Sequence, residues 1–147
     1  MSKNTQFKLD ISKFIAKAGA NAEALVRKVS LDLMKEVDLR SPVDEGRFRG
    51  NNNLAVRAPD TKTSYPDDKS GAEALGRAQA RLAEYKLGDT VYITNSLPYA
   101  RVIEFGEYPG DGPKTSNGFS TQSPQGVYGV SALSFQKFVK REAAKLK

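Results

Sequence analysis

The stretch Val91–Gly106, VYITNSLPYARVIEFG, constrains the fold more than any other part of the chain. Val91 and Ile93 point one way along an extended backbone and Tyr92 and Thr94 the other, which is the alternation of a half-buried strand. Asn95-Ser96 breaks that alternation, and Pro98 sets φ near the helical value at the first position of a short helical turn. Ala100, Ile103 and Glu104 follow at helical spacing from Tyr99, and Gly106 supplies a stop. A strand feeding an aromatic-rich turn and then a glycine reads as a docking ledge rather than a reaction centre. The rest of the chain reads as its support, with loops hung from it.

That support begins with a helix. Residues 1–9 are polar and are expected to form a flexible arm until docked. From Asp10, a good N-cap, Ile11, Phe14, Ile15, Ala18, Ala22, Leu25, Val26, Val29, Leu33, Met34 and Val37 keep a helical rhythm. Gly19 costs that helix about 1 kcal/mol relative to alanine, which marks Gly19-Ala20-Asn21 as the place for a kink. Pro42 disfavours helix at Ser41, so the element should stop near Arg40. Such a stripe lays one face of a long amphipathic helix on a sheet. A second helix is expected over Ala72–Lys86, with Ala72, Leu75, Ala78, Leu82 and Tyr85 as its apolar side. The final element, residues 127–147, is expected to be a third helix or a strand-like start followed by a helix, with Leu133, Phe135, Phe138 and Val139 on its apolar side and Lys137, Lys140, Arg141, Lys145 and Lys147 crowding its end.

Between these elements the sequence is mostly turn chemistry. In Ser41–Gly50, SPVDEGRFRG, Asp44 suits bonding to backbone amides and Gly46 a positive φ. A strand starting there would send Arg47 and Arg49 to one face and Phe48 to the other. Either the two arginines are solvated cations at a corner, or one reaches a carboxylate such as Glu104, on this molecule or a neighbour. Residues 51–70 read as turns around one short strand, Asn53–Ala58, with Asn51-Asn52-Asn53 among the turn signals. Residues 107–125 hold three glycines and three prolines among Ser, Thr and Asn, and read as an extended loop with little apolar content to offset its ordering entropy.

The expected fold class is therefore α+β: a small, mostly antiparallel sheet packed by a long N-terminal amphipathic helix plus two further helices, with long flexible loops. A chain of 147 residues fits one domain spanning 1–147. It shows neither a run long enough to span a membrane nor the pattern of a signal peptide. Cysteine and histidine are both absent, which removes disulfides, thiolate and imidazole metal sites and every histidine-based catalytic triad. Carboxylate chemistry with magnesium stays open through Asp60, Asp67 and Asp68, although they lie in a polar loop without spaced partners. The net charge of +6 permits a polyanionic partner, so a basic nucleic-acid-binding module remains an alternative.

Three pieces together resemble the tailed-bacteriophage tail-completion or head–tail joining (neck) family, related to minor tail protein Z. They are Ser41–Gly50 after the long helix, Val91–Gly106, and Ser123–Val139, SPQGVYGVSALSFQKFV, in the family's order. The middle piece is the most specific, because an asparagine, Leu-Pro-Tyr-Ala and a following Glu-Phe-Gly rarely coincide. The chain departs from the family at Glu45, where threonine is usual, at Asn51-Asn52-Asn53, where a tryptophan often follows, and in a long loop before Ser123. The resemblance implies a structural protein, not an enzyme, without catalytic residues, metal or cofactor. It implies a virion component, made in the host bacterial cytoplasm, forming a homo-oligomeric and commonly six-fold ring at the neck or upper tail. Its partners would be neighbouring neck and tail proteins (stopper or adaptor, tail terminator or tail tube), with genome DNA passing through the lumen without specific binding and no membrane involved. On this reading Pro98, Tyr99, Val102, Phe105 and Gly106 form the ledge. Pro42, Asp44, Gly46, Arg47 and Arg49 form the corner beside it, with Arg47 and Glu104 fixing the two together.

Overall fold

The computed structural model describes the backbone of residues 5–8 and all of residues 19–145. The Asp10–Ala18 part of the expected first helix lies outside the described residues. The break at Gly19 is present: Gly19–Asn21 forms a 3-10 turn, with Gly19 at φ +57°, and α1, Ala22–Arg40, starts directly after it. Helix α1 buries Leu25, Val26, Val29, Leu33, Met34 and Val37, each worth roughly 1.5–3 kcal/mol when removed from water. It ends as expected: Ser41 turns to extended backbone ahead of Pro42, and its hydroxyl donates to the Val37 carbonyl at 2.7 Å.

The chain continues through a short helix α2, Arg47–Gly50, strand β2, Asn53–Val56, and helix α3, Ala72–Leu82. Strand β3, Val91–Asn95, feeds helix α4, Ala100–Phe105. Two short strands, β4 (Thr115–Ser116) and β5 (Phe119–Ser120), precede helices α5 (Tyr128–Leu133) and α6 (Phe135–Ala144). Strand β1, Thr5–Lys8, pairs antiparallel with one edge of β3 and β2 with the other. The sheet order is thus β1-β3-β2, with Phe7 opposite Ile93 and Leu54 opposite Ile93 on the other side. Helices α3, α5 and α6 flank α1, and α3 also lies on β2. Leu54, Val91 and Ile93 of the sheet share one apolar core with α1, Ala74, Ala78 and Leu82 of α3, and Tyr128, Phe138 and Val139. The fold class is α+β, with an antiparallel sheet, as the alternation of β3 and the stripe of α1 imply. No helix among the described residues is long and apolar enough to cross a membrane.

Several local expectations give way to tertiary structure. Residues 5–8 are not a free arm, because β3 offers them an edge to pair with. Arg47–Gly50 is helical rather than extended, which separates Arg47 from Arg49: Arg47 is exposed, while Arg49 reaches the Lys69 carbonyl at 2.8 Å and the Ser41 carbonyl at 3.2 Å. Gly46 takes the positive φ, +94°, and packs so closely on the backbone at residues 68–69 that a Cβ would lie 2.6 Å from the Lys69 nitrogen. Helix α3 ends at Leu82; Ala72 is exposed and Ala74 takes its place in the buried stripe, while Tyr85 packs from the following turn. Leu133 is 79% exposed, since the turn at Ser134 between α5 and α6 carries it off the core.

Residues 107–125 carry structure of their own. Thr115–Ser116 and Phe119–Ser120 pair as a hairpin across Asn117-Gly118, both with positive φ, the backbone of a tight two-residue turn. Asp68 is buried rather than solvated: its carboxylate accepts from the amides of Gly71 and Ala74, each at 3.0 Å, and caps α3. Asp60 accepts from the Tyr65 hydroxyl at 2.5 Å and pairs with Arg81 at 2.8 Å. Against the cost of its partial burial, the bonds from Tyr65, the Lys62 amide and Arg81 hold Asp60 below the usual carboxylate range.

Candidate functional site

The site is built where β3 ends. Asn95, fully buried, accepts from the Leu97 amide at 3.1 Å and so folds the turn that precedes α4. Its amide donates to the Phe48 carbonyl at 2.9 Å and to Asn52 Oδ1 at 3.0 Å, which ties the turn to α2. Asn52 is itself completely buried. It donates to Asp38 Oδ1 at 3.0 Å and Ser41 Oγ at 2.9 Å, and its carbonyl oxygen also accepts from the Tyr128 hydroxyl at 2.9 Å. Burial, with the Asp38 and Glu104 carboxylates nearby, pushes the Tyr128 phenol well above its ordinary range, so it remains a donor. Asn51 and Asn53 are buried as well. Asn51 spans Arg47 and Tyr65, and Asn53 accepts from Arg77 at 3.2 Å and donates to the Lys62 carbonyl at 3.2 Å. The three asparagines are therefore internal ties and not turn punctuation.

Above this network lies an open groove of about 380 Å³. One wall is Pro42, Val43, Asp44, Glu45, Gly46 and Arg47, and the other is the hairpin with Lys114, Thr115 and Ser120. Phe48, Tyr99, Ile103 and Tyr108 supply its apolar surface. The Phe48 and Tyr99 rings stand 6.3 Å apart and tilted by 39°, and the Arg47 guanidinium lies 5.7 Å from the Tyr99 ring centre. Gln122 pins the hairpin to the first wall: its side chain accepts from the Val43 amide at 2.8 Å and donates to the Val43 carbonyl at 3.0 Å. Among the described residues Asp44 makes no bond to backbone amides; its carboxylate faces Lys114 across the mouth at 4.0 Å.

Pro42, Asp44, Gly46, Arg47 and Tyr99 line the groove, while Arg49 turns inward below it. Pro98 is exposed beside it and Val102 is half-buried. Phe105 does not pack the ledge: it is 58% exposed, with the Arg101 guanidinium 5.1 Å from its ring centre. Gly106, at φ +66°, closes α4, and the Glu107 amide bonds back to the Val102 carbonyl at 3.0 Å. The Phe119 ring lies over Gly106 where any Cβ would stand.

Glu104 does not pair with Arg47. It points to the other side of α4, where its carboxylate accepts from the amides of Val127 (2.9 Å), Tyr128 (2.7 Å) and Gly129 (2.9 Å). A carboxylate supplied by a different helix therefore caps the start of α5, where three amides lack intrahelical partners. Glu104→Ala is expected to destabilise the fold by about 3 kcal/mol, and Glu104→Gln by less than half as much, because a neutral oxygen still accepts. Urea unfolding of the two variants checks this ranking; equal losses would contradict it.

The sequence patterns leave Asp38, Gln122 and Tyr128 unmarked and present Asn52 only as a turn residue. One signal for Asp38 was present: Ser30, Met34 and Asp38 recur every fourth residue on the core side of α1. The C-terminal cations are partly neutralised, with Arg141 bonded to both Asp32 and Glu142, and Lys145 to Glu142 at 3.2 Å. Lys147 lies outside the described residues.

No family model matches the sequence, and no curated protein or solved structure matches it either.

Proposed function

We propose that the chain is a structural subunit of a tailed-bacteriophage virion. It forms an oligomeric ring, six-fold in the simplest case, at the neck or upper tail, and joins or completes the tail for head attachment. In this role it works by fitting against copies of itself and adjoining neck and tail proteins, with no bond made or broken.

One observation supports this reading most. The three segments that carry the resemblance, far apart in sequence, are bonded directly to one another. Asn95 reaches Phe48, Glu104 caps the helix that begins at Tyr128, and Ser123 donates to the Arg40 carbonyl, at the entrance to the first segment, at 2.6 Å. Residues held to one another in this way make one surface, which is what a subunit of a rigid joint requires.

Sedimentation velocity and native mass measurements on the purified protein, alone and with neck and tail proteins, test the proposal. A closed ring, free or on a partner, is the expected result. A strict monomer under both conditions would overturn it.

A further inference from the structure

The groove has an open mouth, and the most exposed aromatic side chain of the same helix lies on the far side. Tyr99 and Ile103, one turn apart, face the groove. Arg101 and Phe105, also one turn apart, fall on the opposite face of the α4 segment, both exposed. A molecule cannot fill its own groove with that face. A second copy can, and each copy then offers a groove on one side and a knob on the other.

We infer that the Arg101–Phe105 face of one copy docks into the groove between Pro42 and Tyr108 of the next. The occupant is argued from matching chemistry. The apolar surface is aromatic and suits an incoming ring at an edge-to-face angle. The rim carries Asp44 and Glu45 beside the cations Arg47 and Lys114. Lys114 faces Asp44 and Arg47 lies over the Tyr99 ring, which leaves Glu45 as the exposed carboxylate without an ion-pair partner among the described residues. The arriving knob brings a cation beside its ring, Arg101, whose present partner Glu107 is 3.3 Å away and largely solvated. In the contact Glu45 replaces Glu107 as the partner of Arg101, a charge-assisted bond beside the docked ring. Unlike patches meeting in this way form a heterologous contact, which closes into a ring or runs on as a filament. The inference rests on the ring reading for the identity of the partner and adds the surface it uses.

The test is sedimentation equilibrium of the wild type, Phe105→Ala, Arg101→Glu, Glu45→Arg and the double charge exchange Arg101→Glu/Glu45→Arg, with circular dichroism to confirm folding. Phe105→Ala and each single charge change are expected to weaken self-association at least tenfold, and the double exchange to restore most of it. Because the chain has no cysteine, Phe105→Cys/Val43→Cys adds a second readout: oxidation should give covalent oligomers. A wild type that assembles while all variants assemble equally, without cross-linking, would overturn the groove contact and leave the ring reading standing. Groove variants that lose a neck or tail partner but not self-association would assign the groove to that partner instead and overturn the inference. A wild type that is monomeric alone and with partners would remove both.

Discussion

Asn52→Ala is expected to cost about 4 kcal/mol of folding stability, as much as truncating a large core side chain. The side chain is small, so lost packing is a minor part. What is lost is the meeting point of four buried groups: Asp38 and Ser41 from the end of α1, Asn95 from the end of β3, and Tyr128 from the start of α5. Each loses a partner in the interior, and although Ser41 still donates to Val37 and Asn95 to Phe48, a group left unsatisfied costs roughly 1–3 kcal/mol before relaxation. Tyr128→Phe removes one member and should cost about 1 kcal/mol. The double variant should fall well short of the sum, since the hydroxyl has no Asn52 to bond once alanine is present. Urea midpoints with unchanged slopes give these numbers directly. A loss below 1 kcal/mol for Asn52→Ala would mean that the junction is not what holds the three segments together.

The second large effect is a dependence on pH that runs against the common pattern. Burial is the main influence on Asp38 and raises its pKa from 3.8 to about 7, although the Asn52 bond and the Arg49 and Arg77 charges pull the other way and Asp68 adds to the rise. Asp38 is only 4% exposed, and its Oδ2 has no hydrogen-bond partner among the described residues. With the folded pKa above the unfolded one, the folded state holds the extra proton between the two values. The contribution from Asp38 is therefore fully present below about pH 4 and lost as pH rises through about 7, a fall of roughly 4 kcal/mol at 1.36 kcal/mol per unit. Asp60 has the opposite sign: its lowered pKa gives stability that is lost as pH falls through the acid range. The difference between wild type and Asp38→Asn isolates the first effect. The variant keeps an acceptor for Asn52 and should be the more stable protein at pH 8, with little difference at pH 4. A difference independent of pH, or a variant less stable at pH 8, would contradict the account.

How far the sequence showed this arrangement follows from the range over which each signal acts. Periodicity within one element located α1, its stop at Ser41 and the alternation of β3, because burial of one face repeats along the chain itself. The cap at Gly106 was legible from the residue itself, since the left-handed φ of +66° that ends α4 favours glycine. Strand β1 carries no such pattern and exists because β3 has an edge to offer. The hairpin did have a local signal, Asn117-Gly118, which a glycine- and proline-rich setting concealed. The buried asparagines could not be read locally at all: a run of three asparagines suits a turn, and only Asp38, Arg77, Asn95 and Tyr128, distant in sequence, make it an interior. Arg47 and Glu104 were placed together because opposite charges attract, yet three free amides at the start of α5 are a better partner for a carboxylate than one exposed arginine.

The central claim, a ring subunit at the joint between head and tail, is tested most directly by imaging. Phage particles assembled with a chain carrying a dense label at its C-terminus should show the label as one ring at the head–tail junction or upper tail, and particles made without the chain should have heads and tails that fail to join or stay joined. Intact, infectious particles in its absence, or label found nowhere on purified particles, would contradict it.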